Sequence, residues 1–289
     1  MSDLMPTSLN TSDIGGSGGC SSYLYGKLKR RRRNSGSGSK GKSGSEAQLI
    51  GTGVHEIIQS VLEHDPKDRD KAAEKMFEAL EDLRKKSLFP DLIKNAIPFD
   101  EYYTSGVIEK RAMNTWKEAK PLLIASLSFL NFLEENVDGS KGKWKIHSEP
   151  TIHKNKGGFD HSPPSIREFF NEEIELIGYI DLVFIFNQYA VMGELKTGST
   201  KKIEEKKKNW IRQVQVYSDV WAEKNPQHQV SYVVIHKGIK DGYQWGYKFS
   251  DWNDFNDQNH LKGGIQCRNC LKNSYCSESE SNFPGRHFL

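Results

Sequence analysis

The stretch Gly178 to Gly198, GYIDLVFIFNQYAVMGELKTG, constrains this chain more than any other. Ile180–Phe186 and Tyr189–Lys196 are rich in Val, Ile, Phe and Tyr, and Asn187-Gln188 is the only polar break between them. The pattern reads as a β-hairpin. If Asn187 and Gln188 form a two-residue loop, Phe186 faces Tyr189 and Asp181 lies directly opposite Glu194. A four-residue loop keeps that pairing, whereas a three-residue loop shifts the register by one and sets the two carboxylates on a diagonal. Two acids side by side in apolar strands repel, and burial makes each more costly, so the arrangement calls for a cation. Lys196 lies two residues beyond Glu194 and shares its face, because strand side chains alternate. The plainer alternative is a Glu–Lys pair on a solvated face.

The chain, 289 residues in all, is long enough to bury a substantial core. A hydrophobic content of 36% beside 27% charged residues describes a soluble globular protein. No run approaches the roughly 18 apolar residues of a membrane helix. The beginning, MSDLMPTSLNTSDIGG, has neither the basic region nor the apolar core of a secretory signal, so an intracellular, cytoplasmic location is expected. The net charge of +3 decides little, but Lys27–Arg33 holds six basic residues in seven and Lys201–Lys208 five in eight. Such runs can track a phosphate backbone, though most are solvated faces.

In chain order, residues 1–19 are small, polar and Gly-rich and read as disordered. Residues 20–33 carry Cys20 and the basic run, and 34–46 form a Gly/Ser linker. Val54, Ile57, Ile58, Val61 and Leu62 mark an amphipathic helix entered through Gly51-Thr52-Gly53, with His55 in its first turn beside the apolar stripe. Helices are predicted over about 70–86 and 109–136, the latter kinked or divided by Pro121. Lys143–Lys154 reads as a strand interrupted by Pro150, and 155–171 as a polar loop. After the hairpin come a helix over about 202–223, with Gln213 and Tyr217 four apart on one face, a strand at Val230–His236 and a partner strand at Tyr243–Phe249. The sum is an α/β or α+β sheet flanked by helices.

Cys267, Cys270 and Cys276 stand as C-x2-C-x5-C near the end, and Cys20 is the only other cysteine. In an intracellular protein this spacing points to metal more than to disulfides, and either zinc or an iron–sulfur cluster satisfies four thiols.

Taken together, Cys20, His55, Gly178-Tyr179-Ile180-Asp181, Glu194-Leu195-Lys196, Gln213 with Tyr217 as Q-x3-Y, and the terminal cysteines resemble the PD-(D/E)XK nuclease superfamily. Within it they resemble the iron–sulfur RecB-like exonucleases, a group that includes the AddB nuclease domain and the CRISPR-associated Cas-four proteins. The chain departs from that pattern where Ser21-Ser22, rather than Pro-Arg, follows the first cysteine, and in the Gly/Ser linker.

The resemblance implies a restriction-endonuclease-like α/β fold, with a central mixed sheet over residues 47–262, a helical insertion at about 65–140 and a cysteine segment at 263–289. It implies that Asp181, Glu194, the backbone carbonyl of Leu195 and His55 bind Mg²⁺ or Mn²⁺, and that Lys196 serves the attacking water. Gln213 and Tyr217 would position DNA. Cys20, Cys267, Cys270 and Cys276 would hold a 4Fe–4S cluster, or zinc, joining the two ends. The implied activity is exonucleolytic cleavage of DNA from single-stranded ends, in recombination, repair, phage-type DNA metabolism or CRISPR adaptation. An integrase would be the partner in adaptation. A helicase would be needed for strand separation, since the chain has no Walker motif. From another class, the alternative is a non-catalytic nucleic-acid-binding module with a structural metal.

Overall fold

The computed structural model describes residues 8–10, 46–84, 105–154 and 175–247. Cys20, Arg30–Arg33, the loop expected at 155–171 and Cys267, Cys270 and Cys276 lie outside the described residues.

The hairpin forms as β5 (Leu182–Phe186) and β6 (Tyr189–Leu195). Its register pairs Phe186 with Tyr189 and Leu182 with Gly193, so Asn187-Gln188 is a two-residue loop. Asn187 takes φ 50, a left-handed conformation that asparagine tolerates better than most residues. Along β6, Val191 and Leu195 face one core while Ala190 and Met192 face another. By the same alternation Glu194 continues the Ala190–Met192 row.

A five-stranded sheet is built on this hairpin in the order β2-β5-β6-β7-β8, with β2 at Lys145–Ser148, β7 at Gln229–Ile235 and β8 at Tyr243–Tyr247. β6 and β7 are parallel, and the others pair antiparallel. The parallel connection needs a crossover, supplied by α4 (Ile203–Lys224). Three helices cover the opposite face: α1 (Glu46–Leu62), α2 (Pro66–Arg84) and α3 (Ser105–Asn136). Val54, Ile57, Ile58, Val61 and Leu62 are all buried there with Leu122, Phe129, Phe184 and Ile235. On the α4 side the core holds Val183, Met192, Val214, Tyr217 and Val234. The result is a mixed sheet with helices on both faces, as the resemblance implies.

Each of the first three helices departs from its sequence reading. α1 begins at Glu46, so the glycines expected at its entry lie within it. Gly51 is there because a Cβ would stand 3.3 Å from Thr197 Oγ1, where the helix passes the end of β6. α2 begins four residues early, at Pro66, whose fixed φ and missing N–H suit a first helical position. α3 runs 32 residues through Pro121 without division.

The strand expected at Lys143–Lys154 is two, β2 and β3 (Thr151–Lys154), separated at Glu149-Pro150 and assigned to different sheets. Opposite them lies β4 (Glu175–Tyr179), a strand the sequence reading did not separate from the hairpin, followed by β5. The register is constant across the break: Lys145 pairs with Ile185, Ser148 with Leu182, Thr151 with Tyr179 and Lys154 with Leu176. One antiparallel ribbon therefore crosses from the five-stranded sheet to a three-stranded one. It turns where Glu149 adopts φ 49 and where Ile180 N donates to Pro150 O at 3.2 Å. Asp181 sits on this turn.

β1 (Ser8–Asn10) pairs in parallel with β4, so three residues of the segment read as disordered are a strand. Main-chain pairing needs no apolar side chains, which is why composition gave no sign of it.

Candidate active site

α1 grips the turn at Asp181 in two ways. Gln59 Nε2 donates to the Asp181 backbone carbonyl at 3.0 Å, and His55 Nδ1 stands 3.5 Å from Asp181 Oδ1. His55 and Gln59 are four apart and share one helical face. The other carboxylate oxygen, Oδ2, accepts the Leu195 N–H at 2.7 Å, which ties Asp181 across the hairpin to β6.

Glu194 lies opposite, 2% exposed. Its Oε1 receives Lys196 Nζ in a short ion pair and Gln213 Nε2 at 2.9 Å. Its Oε2 is buried with no hydrogen-bond partner. Gln213 turns its amide oxygen to Lys196 Nζ at 3.2 Å and its nitrogen also to the Tyr217 hydroxyl oxygen at 2.7 Å. Thus α4 supplies a clamp on both members of the ion pair.

The charges respond to this packing. Burial, and then the neighbouring charge of Asp181, push Glu194 up to about 7 against the opposing pull of Lys196. For Lys196, burial works against its charge, yet Glu194 and Asp181 prevail and its pKa rises. His55 behaves alike: burial lowers it, but the hydrogen bond and charge of Asp181, with Glu194, carry it upward. In Lys196 and His55 the carboxylates outweigh burial, which marks a cluster of negative potential, whereas Glu194 is raised first by its own burial.

Of the sequence-predicted residues, His55, Asp181, Glu194, Lys196, Gln213 and Tyr217 come together. Gln213 and Tyr217 are buried, with Gln213 bonded to Lys196, Glu194 and the Tyr217 hydroxyl. In the basic run, Lys202 pairs with Glu205 at 3.6 Å, Lys207 with Glu204 at 2.8 Å, and Lys206 Nζ donates to Ser199 O at 2.8 Å. Much of that charge is therefore answered locally. Glu149 is exposed.

Sequence reasoning missed Gln59, Glu118 and His236. Gln59 had a signal, being a polar residue between Ile58 and Val61 one turn from His55. Glu118 accepts Gly198 N at 3.0 Å and pairs with Lys237, contacts that no local pattern announces. His236 is fully buried 4.9 Å from the Trp210 ring, accepts Gly238 N at 2.9 Å, and is lowered in pKa chiefly by burial.

A profile of the PD-(D/E)XK nuclease superfamily matches residues 22–266, well over half of the chain. The chain belongs to the PD-(D/E)XK nuclease superfamily. A comparison with curated proteins found no match. In sequence, Asp181 and Glu194-Leu195-Lys196 fit the pattern in the superfamily's name, and they lie just beyond the Leu182–Gly193 pair that ends the hairpin ladder. Membership makes the chain a nuclease by family, with DNA as the expected class of substrate. No helix among the described residues is long and apolar enough to cross a membrane.

Whether these residues suit a divalent ion can be tested on the orphaned Glu194 Oε2. Among the described residues, no three His, Cys, Asp or Glu side chains are arranged to hold a metal ion as they stand. Lys196 occupies one Glu194 oxygen and the Leu195 N–H one Asp181 oxygen. The donors nonetheless fit a hard cation, because two facing carboxylates include a buried oxygen that no proton donor satisfies.

Proposed function

We propose that this PD-(D/E)XK nuclease is a metal-dependent DNA exonuclease of the RecB-like branch that works from single-stranded ends. The observation that carries the reading is the convergence of Asp181, Glu194 and Lys196, with Glu194 Oε2 buried and unpartnered. Asp181, Glu194, the Leu195 carbonyl and His55 would hold Mg²⁺ or Mn²⁺; when bound, the ion polarises the scissile phosphate and acidifies a water. Lys196, kept as an ammonium by its carboxylate neighbours, orients that water and offsets negative charge as it develops on the phosphate. Gln213 fixes the direction of the ammonium and of the Glu194 carboxylate together. Tyr217 supports Gln213, so this pair acts on the substrate through the acid–lysine pair.

Cys20, Cys267, Cys270 and Cys276 are proposed as ligands of a 4Fe–4S cluster: their number and spacing suit either that or zinc, and the resemblance to the iron–sulfur RecB-like exonucleases favours the cluster. Protein purified without oxygen should then be brown, while colourless protein with stoichiometric zinc would replace that cofactor. The pathway, whether recombination and repair with a helicase or CRISPR adaptation with an integrase, is separated by which of these partners co-purifies.

The decisive assay is Mn²⁺-dependent digestion of single-stranded oligonucleotides labelled at the 5′ or the 3′ end. Wild-type protein should shorten one label series progressively, and Asp181→Ala and Lys196→Ala should abolish it. Undiminished activity in both variants overturns the reading. Salt-dependent binding without metal-dependent cleavage would mark a non-catalytic binding module instead.

A further inference from the structure

Glu118 lies on α3, 63 residues upstream of Asp181 in sequence and on none of the elements that carry the acid–lysine site. Its carboxylate is nevertheless committed at both oxygens to the segments leaving the two parallel strands. Oε2 accepts the backbone N–H of Gly198 at 3.0 Å, and Oε1 pairs with Lys237 Nζ. Gly198 is two residues past Lys196, at φ 104, and Lys237 is two residues past Ile235. Ile235 in turn accepts the Lys196 N–H at 2.9 Å. One side chain thus closes a loop of contacts around the backbone of Lys196.

An ordinary surface ion pair would contribute little and organise nothing. This one differs in two respects. The Glu118 and Lys237 side chains are only 16% and 24% exposed, and half of the interaction is with a backbone amide rather than a flexible side chain. The segment it fixes leads from Lys196 into α4, and α4 returns Gln213 to Lys196 and Glu194. If Gly198 shifts, both the origin of the lysine side chain and the helix that clamps its tip shift with it.

We propose that Glu118 is a positioning residue for Lys196, bracing the exits of β6 and β7 so that the ammonium is held at the site before substrate arrives. Its catalytic consequence rests on the nuclease reading above, but the brace itself does not. A displacement of this kind reduces turnover by roughly 10- to 100-fold while substrate binding is retained.

The test combines amide hydrogen exchange of peptides spanning 197–202 with kcat and KM in the Mn²⁺ assay, for wild type, Glu118→Ala, Glu118→Gln and Lys237→Ala. Glu118→Ala should speed exchange at 197–202 and lower kcat about tenfold, with KM changed less than about twofold. Glu118→Gln keeps an acceptor for Gly198 and should recover most of the loss; Lys237→Ala should have the smaller effect. Unchanged exchange in Glu118→Ala overturns the brace. Equal losses in Glu118→Ala and Glu118→Gln, accompanied by exchange faster throughout the sheet, would show general destabilisation and overturn it as well. Wild-type protein that cleaves nothing overturns the nuclease reading and the catalytic consequence with it, a signature distinct from a failed brace.

Discussion

Gln213 Nε2 donates to Glu194 Oε1 at 2.9 Å, the same oxygen that pairs with the Lys196 ammonium. Because the same amide accepts from Lys196, it reads the polarity of the ion pair: oxygen toward the ammonium, nitrogen toward the acid. Gln213→Ala removes both contacts without adding charge. Hydrogen bonds to ionised groups contribute about 1.5–3 kcal/mol, so kcat should fall roughly 10- to 100-fold. Gln213→Glu should be worse, placing a third carboxylate beside Glu194. Steady-state kinetics on an end-labelled oligonucleotide would check the order; a Gln213→Glu variant as active as wild type would remove the clamp from the mechanism.

Glu194 gives the metal-free protein an unusual pH dependence. Its folded pKa, about 7, stands above its ordinary 4.5, so between these values the native state holds more protons than the unfolded one. Stability from this group is complete below about 4.5 and is lost as pH rises through about 7. His55 is also raised and acts in the same direction. In EDTA, the Tm advantage of Glu194→Gln over wild type should therefore be larger at pH 8 than at pH 5.5. Mn²⁺ needs the deprotonated carboxylate, so its affinity for wild type should strengthen by roughly tenfold per unit as pH rises toward 7. A Tm difference between the two proteins that does not vary with pH would contradict the assignment of this shift.

The hairpin and the α4–β7 connection were legible because each carries a strong local signal. Apolar runs rich in β-branched and aromatic residues at Leu182–Phe186 and Tyr189–Leu195, a two-residue polar break and a 3.6-residue seam at Trp210, Val214 and Tyr217 leave few alternatives. The turn of the ribbon was not legible. Pro150 announced an interruption, but that β3 pairs in another sheet depends on β4, which no turn signal sets apart from β5. β1 pairs through its main chain, which side-chain pattern does not report. At the site, the charged residues could be read from their cost in apolar strands. Gln59 and Glu118 could not be placed, since their partners lie 122 and 80 residues away in sequence.

The Gln59 contact predicts a separable effect on metal binding. Gln59→Leu keeps the buried volume but leaves the Asp181 carbonyl without the donor it now has on α1. An unsatisfied buried carbonyl costs about 1–3 kcal/mol, and the turn can relax away from His55 to recover part of it. Mn²⁺ affinity measured by calorimetry should drop about tenfold, while far-ultraviolet circular dichroism stays unchanged. Affinity equal to that of wild type would show that Gln59 holds the turn without serving the site.

Gly193 links the packing of the hairpin to its chemistry. It pairs with Leu182, one step from the Asp181–Glu194 position, and a Cβ there would meet Leu182 Cβ at 3.1 Å, Leu182 O at 3.2 Å and Phe184 Cε2 at 3.3 Å. Gly193→Ala must therefore push β5 and β6 apart by a few tenths of an ångström, and two of the three obstructing atoms belong to a residue fixed in the ladder. Overpacking of this order costs about 1–3 kcal/mol. The displacement falls beside two carboxylates whose spacing must suit one cation, so activity should fall more steeply than stability. Urea unfolding and Mn²⁺-dependent cleavage measured on the same preparation would decide it: a variant that loses stability yet keeps full turnover would show that the acid pair tolerates a wider hairpin than this geometry allows.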